Sequence, residues 1–134
     1  KDMQQAIDQQ IKWPNELSKP YVYSADNELL NKFKGYQQGI TVTAPGFYAP
    51  QGRKMRIPFA IEDLHKRLLN FNHNGTKITN FEMETSALYG LGKLMGHNCL
   101  TICTILANRA RNEYSNNPKG AIENLIEQAL DKLV

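Results

Sequence analysis

Residues 77–106 read "KITNFEMETSALYGLGKLMGHNCLTICTIL". "KITNF" is a brief β-prone run. "METSALYGLGKLMG" reads as a helix closed at its C-terminus by Gly96. "CLTICTIL" is almost continuously apolar, the pattern of a central strand covered on both faces. Strand, helix and strand within about 30 residues make a βαβ unit. Ser86, Ala87, Gly90 and Gly92 lower helix propensity; they are expected where a sheet comes close.

Upstream, "GITVTAP" is β-branched and bounded by Gly39 and Pro45, which predicts a second strand. "AIEDLHKRLLNF" puts Ile61, Leu64, Leu68 and Phe71 on one helical face, and "NHNG" is a turn. "YVYS" is a short β-prone run. Ser24, Asp26 and Asn27 are N-cap residue types, and "NELLNKFKGY" after them reads as a short helix ending near Gly35. "MQQAIDQQI" has weak helical periodicity, broken by the prolines of "KWPNELSKP". Downstream, Asn117-Pro118 opens a helix whose apolar pairs recur every four residues to the end. It is expected to lie on the sheet. The class is α/β, with a mostly parallel sheet and helices on both sides. Ligands in such folds sit beyond the carboxyl ends of strands. Two loops leave such ends: "FYAPQGR", residues 47–53, and "FEMET", residues 81–85.

The remaining bulk properties are those of a globular chain of modest size. Of 134 residues, 41% are hydrophobic and 22% charged. The net charge of +3, from 16 basic and 13 acidic residues, is interspersed and forms no nucleic-acid stripe. No apolar run reaches the ~20 residues that span a bilayer, and "KDMQQAIDQQ" has no signal-peptide core. In a strand, Cys99 and Cys103 would lie about 13 Å apart, too far for a disulfide. They read as small buried hydrophobes in a reducing, cytoplasmic compartment. The sequon at Asn74 is expected to be a turn.

Each candidate motif has a structural and a functional reading. "FYAPQGR" reads as a surface loop, or as a reader of a planar ligand. In the second case Phe47 or Tyr48 stacks, the Gln51 amide donates and accepts, and Arg53 offers a fork of donors. That set complements a pyrimidine edge. Glu82 and Glu84 flank Met83 where a strand hands over to a helix. Helix-dipole placement explains one carboxylate. Residues i and i+2 of an extended chain share a face, so both could enter one cleft and accept from a ribose diol. A metal is the weaker alternative, because His65, His73 and His97 are scattered. Leu106-Ala107-Asn108-Arg109 lies at the end of the apolar run, and Arg109 is as readily structural. No P-loop, GxGxxG, CxxC or Cys/His nucleophile pair is present.

"GITVTAPGFYAPQGR" followed by "ITNFEMETSALYGLGKLMGHNCLTICTILANR" resembles the carboxyl-terminal half of the nucleoside phosphorylase-I family, specifically its uridine phosphorylases. The resemblance runs from about Tyr21 to the end, with residues 1–20 as a variable connection and the whole chain as the carboxyl-terminal part of a single phosphorylase domain. It implies a three-layer αβα sandwich around a mixed, mostly parallel sheet, about half of it in this chain. It implies Phe47 stacking on the base or ribose, Gln51 and Arg53 reading uracil, Leu106 and Ala107 lining the pocket, and Met83, Glu84 and nearby Glu82 at the ribose. Arg53 and Glu84 are the catalytic candidates. The implied reaction is phosphorolysis of uridine to uracil and ribose 1-phosphate in pyrimidine salvage. Phosphate is the co-substrate, no organic cofactor or metal takes part, and the enzyme is a homodimer or homohexamer. Purine members carry an Asp at the end of the last core strand, and "ICTILANR" has none. A purine phosphorylase or a nucleosidase of the same fold is one alternative. A non-catalytic nucleoside-binding protein is the other. Family members are roughly twice as long, with the phosphate site in their amino-terminal half. The chain is therefore expected to be part of a longer enzyme and inactive alone.

Overall fold

The computed structural model describes residues 2–109 and 111–134. They form two units, Lys1–Ser24 with Gln37–His97, and Ala25–Tyr36 with Asn98–Val134. Among the described residues, five α-helices and a small mixed sheet place the chain in the mixed α/β class.

The first unit begins with helix α1, Asp2–Ile11, whose Ala6, Ile7 and Ile11 are buried. With Leu68 and Phe71 they form the hydrophobic cluster, and Ile40, Ile78 and Phe81 pack against it. The opening segment thus supplies core. Helix α3, Leu64–Asn70, is shorter than its apolar pattern predicts and leaves Ile61 outside. Its Arg67 donates to the carbonyls of Ile11 and Lys12, each at 2.6 Å. Those are C-terminal carbonyls of α1 without a partner inside their own helix.

The sheet has strand order β1-β3-β2. β1, Ile40–Thr43, runs parallel to β3, Thr76–Glu82. β2, Asn72–His73, pairs antiparallel with β3 through a two-residue turn. Asn74 and Gly75 there have φ of 52° and 84°, the left-handed pair that a type I′ hairpin requires. The register between β1 and β3 shifts by one residue at Thr79, so Ile40 faces Ile78 but Thr41 faces Asn80. Strict alternation would send Ile78 and Phe81 to opposite faces. The extra residue puts both on the cluster and leaves Asn80 and Glu82 on the other face, beside Thr41 and Thr43.

Helix α4, Thr85–Leu94, follows. Gly96, with φ of 77°, terminates it as expected. The His97 N–H bonds the Gly92 carbonyl at 2.8 Å and the Gly96 N–H bonds that of Lys93 at 3.3 Å, the two bonds of a Schellman motif. The small residue Gly90 does not face a sheet strand. A Cβ there would stand 3.3 Å from the Tyr23 ring, so the close neighbour is the aromatic segment at 21–24, which forms no strand.

In the second unit, helix α2, Asn27–Lys32, starts as predicted at Asp26, whose carboxylate accepts from the Leu29 N–H at 2.9 Å. The expected central strand does not form. Residues 99–106 make no ladder, and Cys103, Ile105 and Leu106 are exposed. The βαβ unit and the reading of both cysteines as buried are therefore corrected. Cys99 is half-buried, and neither cysteine is in a disulfide. An apolar run states the burial a segment suits. It does not supply the flanking strands whose N–H and C=O groups a central strand needs. The pairing found is a short antiparallel ribbon, β4, Ala107–Asn108, with β5, Glu113–Tyr114. Helix α5, Pro118–Leu133, is capped by Asn117 at the Gly120 N–H. None of its residues is buried. Among the described residues, no helix is long and apolar enough to cross a membrane.

Candidate functional site

β1 and β3 are parallel neighbours, and the Ala44 N–H donates to the Glu82 carbonyl at 2.8 Å. Both candidate loops therefore leave the same end of the sheet. After β1 the chain makes a 3₁₀ turn, Ala49–Gln51, with Pro50 in its first positions and Gly52 at its end. Gly52 has φ of 73°, a conformation that costs a side chain and suits glycine. The N–H groups of Gln51 and Arg53 both return to the Tyr48 carbonyl, at 3.1 and 3.0 Å.

This turn brings Phe47, Gln51 and Arg53 together. The Arg53 guanidinium carbon lies 3.5 Å from the centre of the Phe47 ring. Its Nη1 donates to Gln51 Oε1 at 2.8 Å and also to the Phe47 carbonyl. Gln51 is 5% exposed, while Phe47 is 51% exposed and stands edge-on to Tyr48. The aromatic plate expected to stack on a ligand thus carries Arg53 on one face.

The carboxylates differ. Glu82 ends β3, and its Oε2 accepts from the N–H groups of Glu84 and Thr85, each at 2.6 Å. Its other oxygen accepts from the Thr43 hydroxyl, which itself accepts from the Ser86 N–H at 2.9 Å. Glu82 and Thr43 together satisfy N–H groups at the start of α4 that have no partner inside the helix. Burial pushes the Glu82 carboxyl up. The Thr43 hydroxyl, the two backbone N–H groups and the Thr85 hydroxyl outweigh it and hold the group below its ordinary value of 4.5. Glu84 is exposed, with backbone φ −128° and ψ −27°, and its carboxylate accepts from the Met83 N–H at 3.3 Å. It lies beyond the strand end, so the shared face of an extended i, i+2 pair does not apply. Met83 is 41% exposed.

Replacing Glu82 by Gln is expected to cost about 0.5–2 kcal/mol of stability, as losing a helix cap does. A lowered folded pKa contributes stability that is complete above the unfolded value and fades as pH falls through the folded one. Thermal unfolding between pH 7 and pH 3 should therefore show wild type losing more stability than Glu82→Gln below about pH 4.5. Parallel curves would remove Glu82 from the cap.

Leu106 and Ala107 belong to the second unit, Leu106 just before β4 and Ala107 within it. The Leu106 carbonyl accepts from the Ser115 N–H at 2.9 Å. Arg109 is in the turn after β4 rather than at the end of a central strand. Among the described residues, no three His, Cys, Asp or Glu side chains gather as metal ligands would. Sequence reading missed two residues. Thr43 was legible as the last β-branched residue of β1, had its register with Glu82 been known. His65 was read only as one scattered histidine, yet its ring packs on Phe81 with centroids 5.1 Å apart.

The model of the phosphorylase superfamily matches residues 3–134, including most of the opening segment. A curated protein described as uridine phosphorylase, from Thermococcus kodakarensis, is 31% identical over 86 residues. That alignment covers 59% of this chain and 28% of the relative, so the match spans well under half of the relative's length. No solved structure matches significantly.

Proposed function

We infer the activity from two premises: the chain belongs to the phosphorylase superfamily, and neighbouring strand ends present a guanidinium–amide–aromatic group and an exposed carboxylate. The reading they support is uridine phosphorolysis. An oxygen of phosphate bonds to C1′ as the N-glycosidic bond breaks. The bonding pair stays on uracil, which takes up a proton, and ribose 1-phosphate forms. Arg53 and Gln51 donate to the uracil carbonyls where negative charge develops. Phe47 walls the base, Glu84 accepts from the ribose diol beside Met83, and Glu82 holds that turn in place.

The observation that carries this reading is the Arg53–Gln51–Phe47 group, held together by its own stacking and hydrogen bonding. A planar fork, an amide and a ring held together suit a flat heterocycle better than an inorganic anion or an open-chain acid. The absence of an Asp in "ICTILANR" favours a pyrimidine. In this reading the chain forms part of a three-layer αβα sandwich in a cytoplasmic homodimer or homohexamer. Phosphate serves as co-substrate without an organic cofactor.

The test is release of uracil from uridine and of hypoxanthine from inosine, each with and without phosphate. Phosphate-dependent release of uracil is the expected result. Release without phosphate would make the protein a nucleosidase, and preference for inosine would make it a purine enzyme. The 134-residue chain assayed alone is expected to release no uracil, and phosphate-dependent release by it would show that its own residues hold the phosphate.

A further inference from the structure

We infer that His65 is a positioning residue for the loop of residues 47–53, its ring acting as a spacer that fixes Gln51 and Arg53. This deepens the base-reading role given to that loop and rests on it. Gly52 stands between the two readers in the left-handed region. A Cβ at Gly52 would lie 2.7 Å from His65 Cε1 and Nε2 and 2.8 Å from Cδ2. The far edge of the imidazole therefore occupies the place where any side chain at 52 would be. The ring also packs on Phe81, the planes tilted by 33°. Phe81 packs against the hydrophobic cluster and directly precedes Glu82.

These contacts form a continuous path from core to Phe81, to His65, to the Gly52 backbone, and so to Gln51 and Arg53. Glycine has the widest conformational freedom of any residue. Bonds to the Tyr48 carbonyl hold the backbone on either side of Gly52, and the imidazole packed against it limits the freedom that remains. Packed interiors transmit position because they hold few voids, and a site needs its supporting side chains as firmly placed as its contacting ones. His65 comes from the first turn of α3, whose Leu64 and Leu68 are seated on the same cluster. It spaces the loop from a rigid base and ties it to the strand that carries Glu82.

The experiment measures uracil and ribose 1-phosphate binding by calorimetry on the full-length protein. Wild type failing to bind uracil would reject the base-reading role itself, a result distinct from those below. With wild type binding, His65→Ala is expected to weaken uracil about tenfold and ribose 1-phosphate less than about twofold. His65→Phe keeps a flat ring and should stay within about threefold of wild type. Gly52→Ala should weaken uracil less in the His65→Ala background than in wild type, because the collision is gone while the backbone strain is common to both. The inference is overturned if His65→Ala binds uracil like wild type, if both ligands weaken equally, if Phe is no better than Ala, or if the two changes are additive. If His65→Ala does not fold, uracil binding by His65→Phe and Gly52→Ala decides: Phe near wild type with Gly52→Ala weakened supports the spacer, and any other pattern rejects it.

Discussion

Arg53→Ala is expected to lower kcat/KM for uridine by roughly 10²–10³-fold while leaving ribose 1-phosphate binding within about twofold. The guanidinium donates to Gln51 Oε1 at 2.8 Å and lies 3.5 Å from the centre of the Phe47 ring. Truncation removes a charged donor from the base, and also the group that sets which way the Gln51 amide points. With its oxygen held by Arg53, that amide turns its NH₂ away from the guanidinium. The two effects fall on the same transition state, so they multiply in rate. Arg53→Lys should recover little, because a compact ammonium cannot stack on a ring and fork to an amide at once. Steady-state kinetics with uridine, beside calorimetry with ribose 1-phosphate, distinguish this from general damage. Equal losses with both ligands would make Arg53 a brace for its own loop and nothing more.

Glu84→Ala is expected to act through the sugar. A carboxylate that accepts from both hydroxyls of a diol loses charge-assisted bonds worth about 1.5–3 kcal/mol each. The fall in kcat/KM for uridine should then be about 10²–10⁴-fold, with uracil binding nearly unchanged. With 2′-deoxyuridine the variant should lose much less, so the preference for the ribonucleoside over the deoxynucleoside shrinks. Folding should be spared. Glu84 is the N-cap residue of α4 but makes no side-chain cap bond, and its carboxylate is exposed. Glu82→Gln should show the opposite pattern, with stability lost first. A Glu84→Ala protein that melts early yet keeps its ribose preference would reverse the two assignments.

The elements legible in the sequence were those with local causes. Asp26 caps α2, Asn74-Gly75 turns β2 into β3, Gly96 ends α4, and Asn117-Pro118 starts α5. Each rests on a short-range backbone rule that a reader can apply to a few residues. β1 was legible because β-branched residues sat between Gly39 and Pro45. The loop of residues 47–53 was legible because its residue types are unusual for a loop, and the structure gathers Phe47, Gln51 and Arg53 on it. What failed depended on partners. The run at 99–106 has the composition of a central strand, yet composition does not provide a ladder. Ile61 matched a helical stripe, yet α3 starts only at Leu64. The division between the two carboxylates was hidden for the same reason. Glu82 and Glu84 look alike in a row of letters, and only the Thr43 hydroxyl and the N–H groups of α4 tell them apart.

The supernumerary residue at Thr79 makes the site a matter of parity. Ile78 and Glu82 are an even number of positions apart, so a regular strand would aim both the same way, and the carboxylate would meet the aliphatic side of the sheet. One surplus residue reverses every assignment after it: Phe81 goes inward, and Glu82 comes out beside Thr43. The address of the carboxylate is therefore written in how many residues precede it, independently of what they are. Substitutions throughout 79–81 can leave that address intact. Deleting Thr79 would remove the surplus and leave a regular strand in which Phe81 still faces inward and Glu82 outward, whereas adding one more residue at that point would turn Glu82 toward the aliphatic side with every letter of the motif still present.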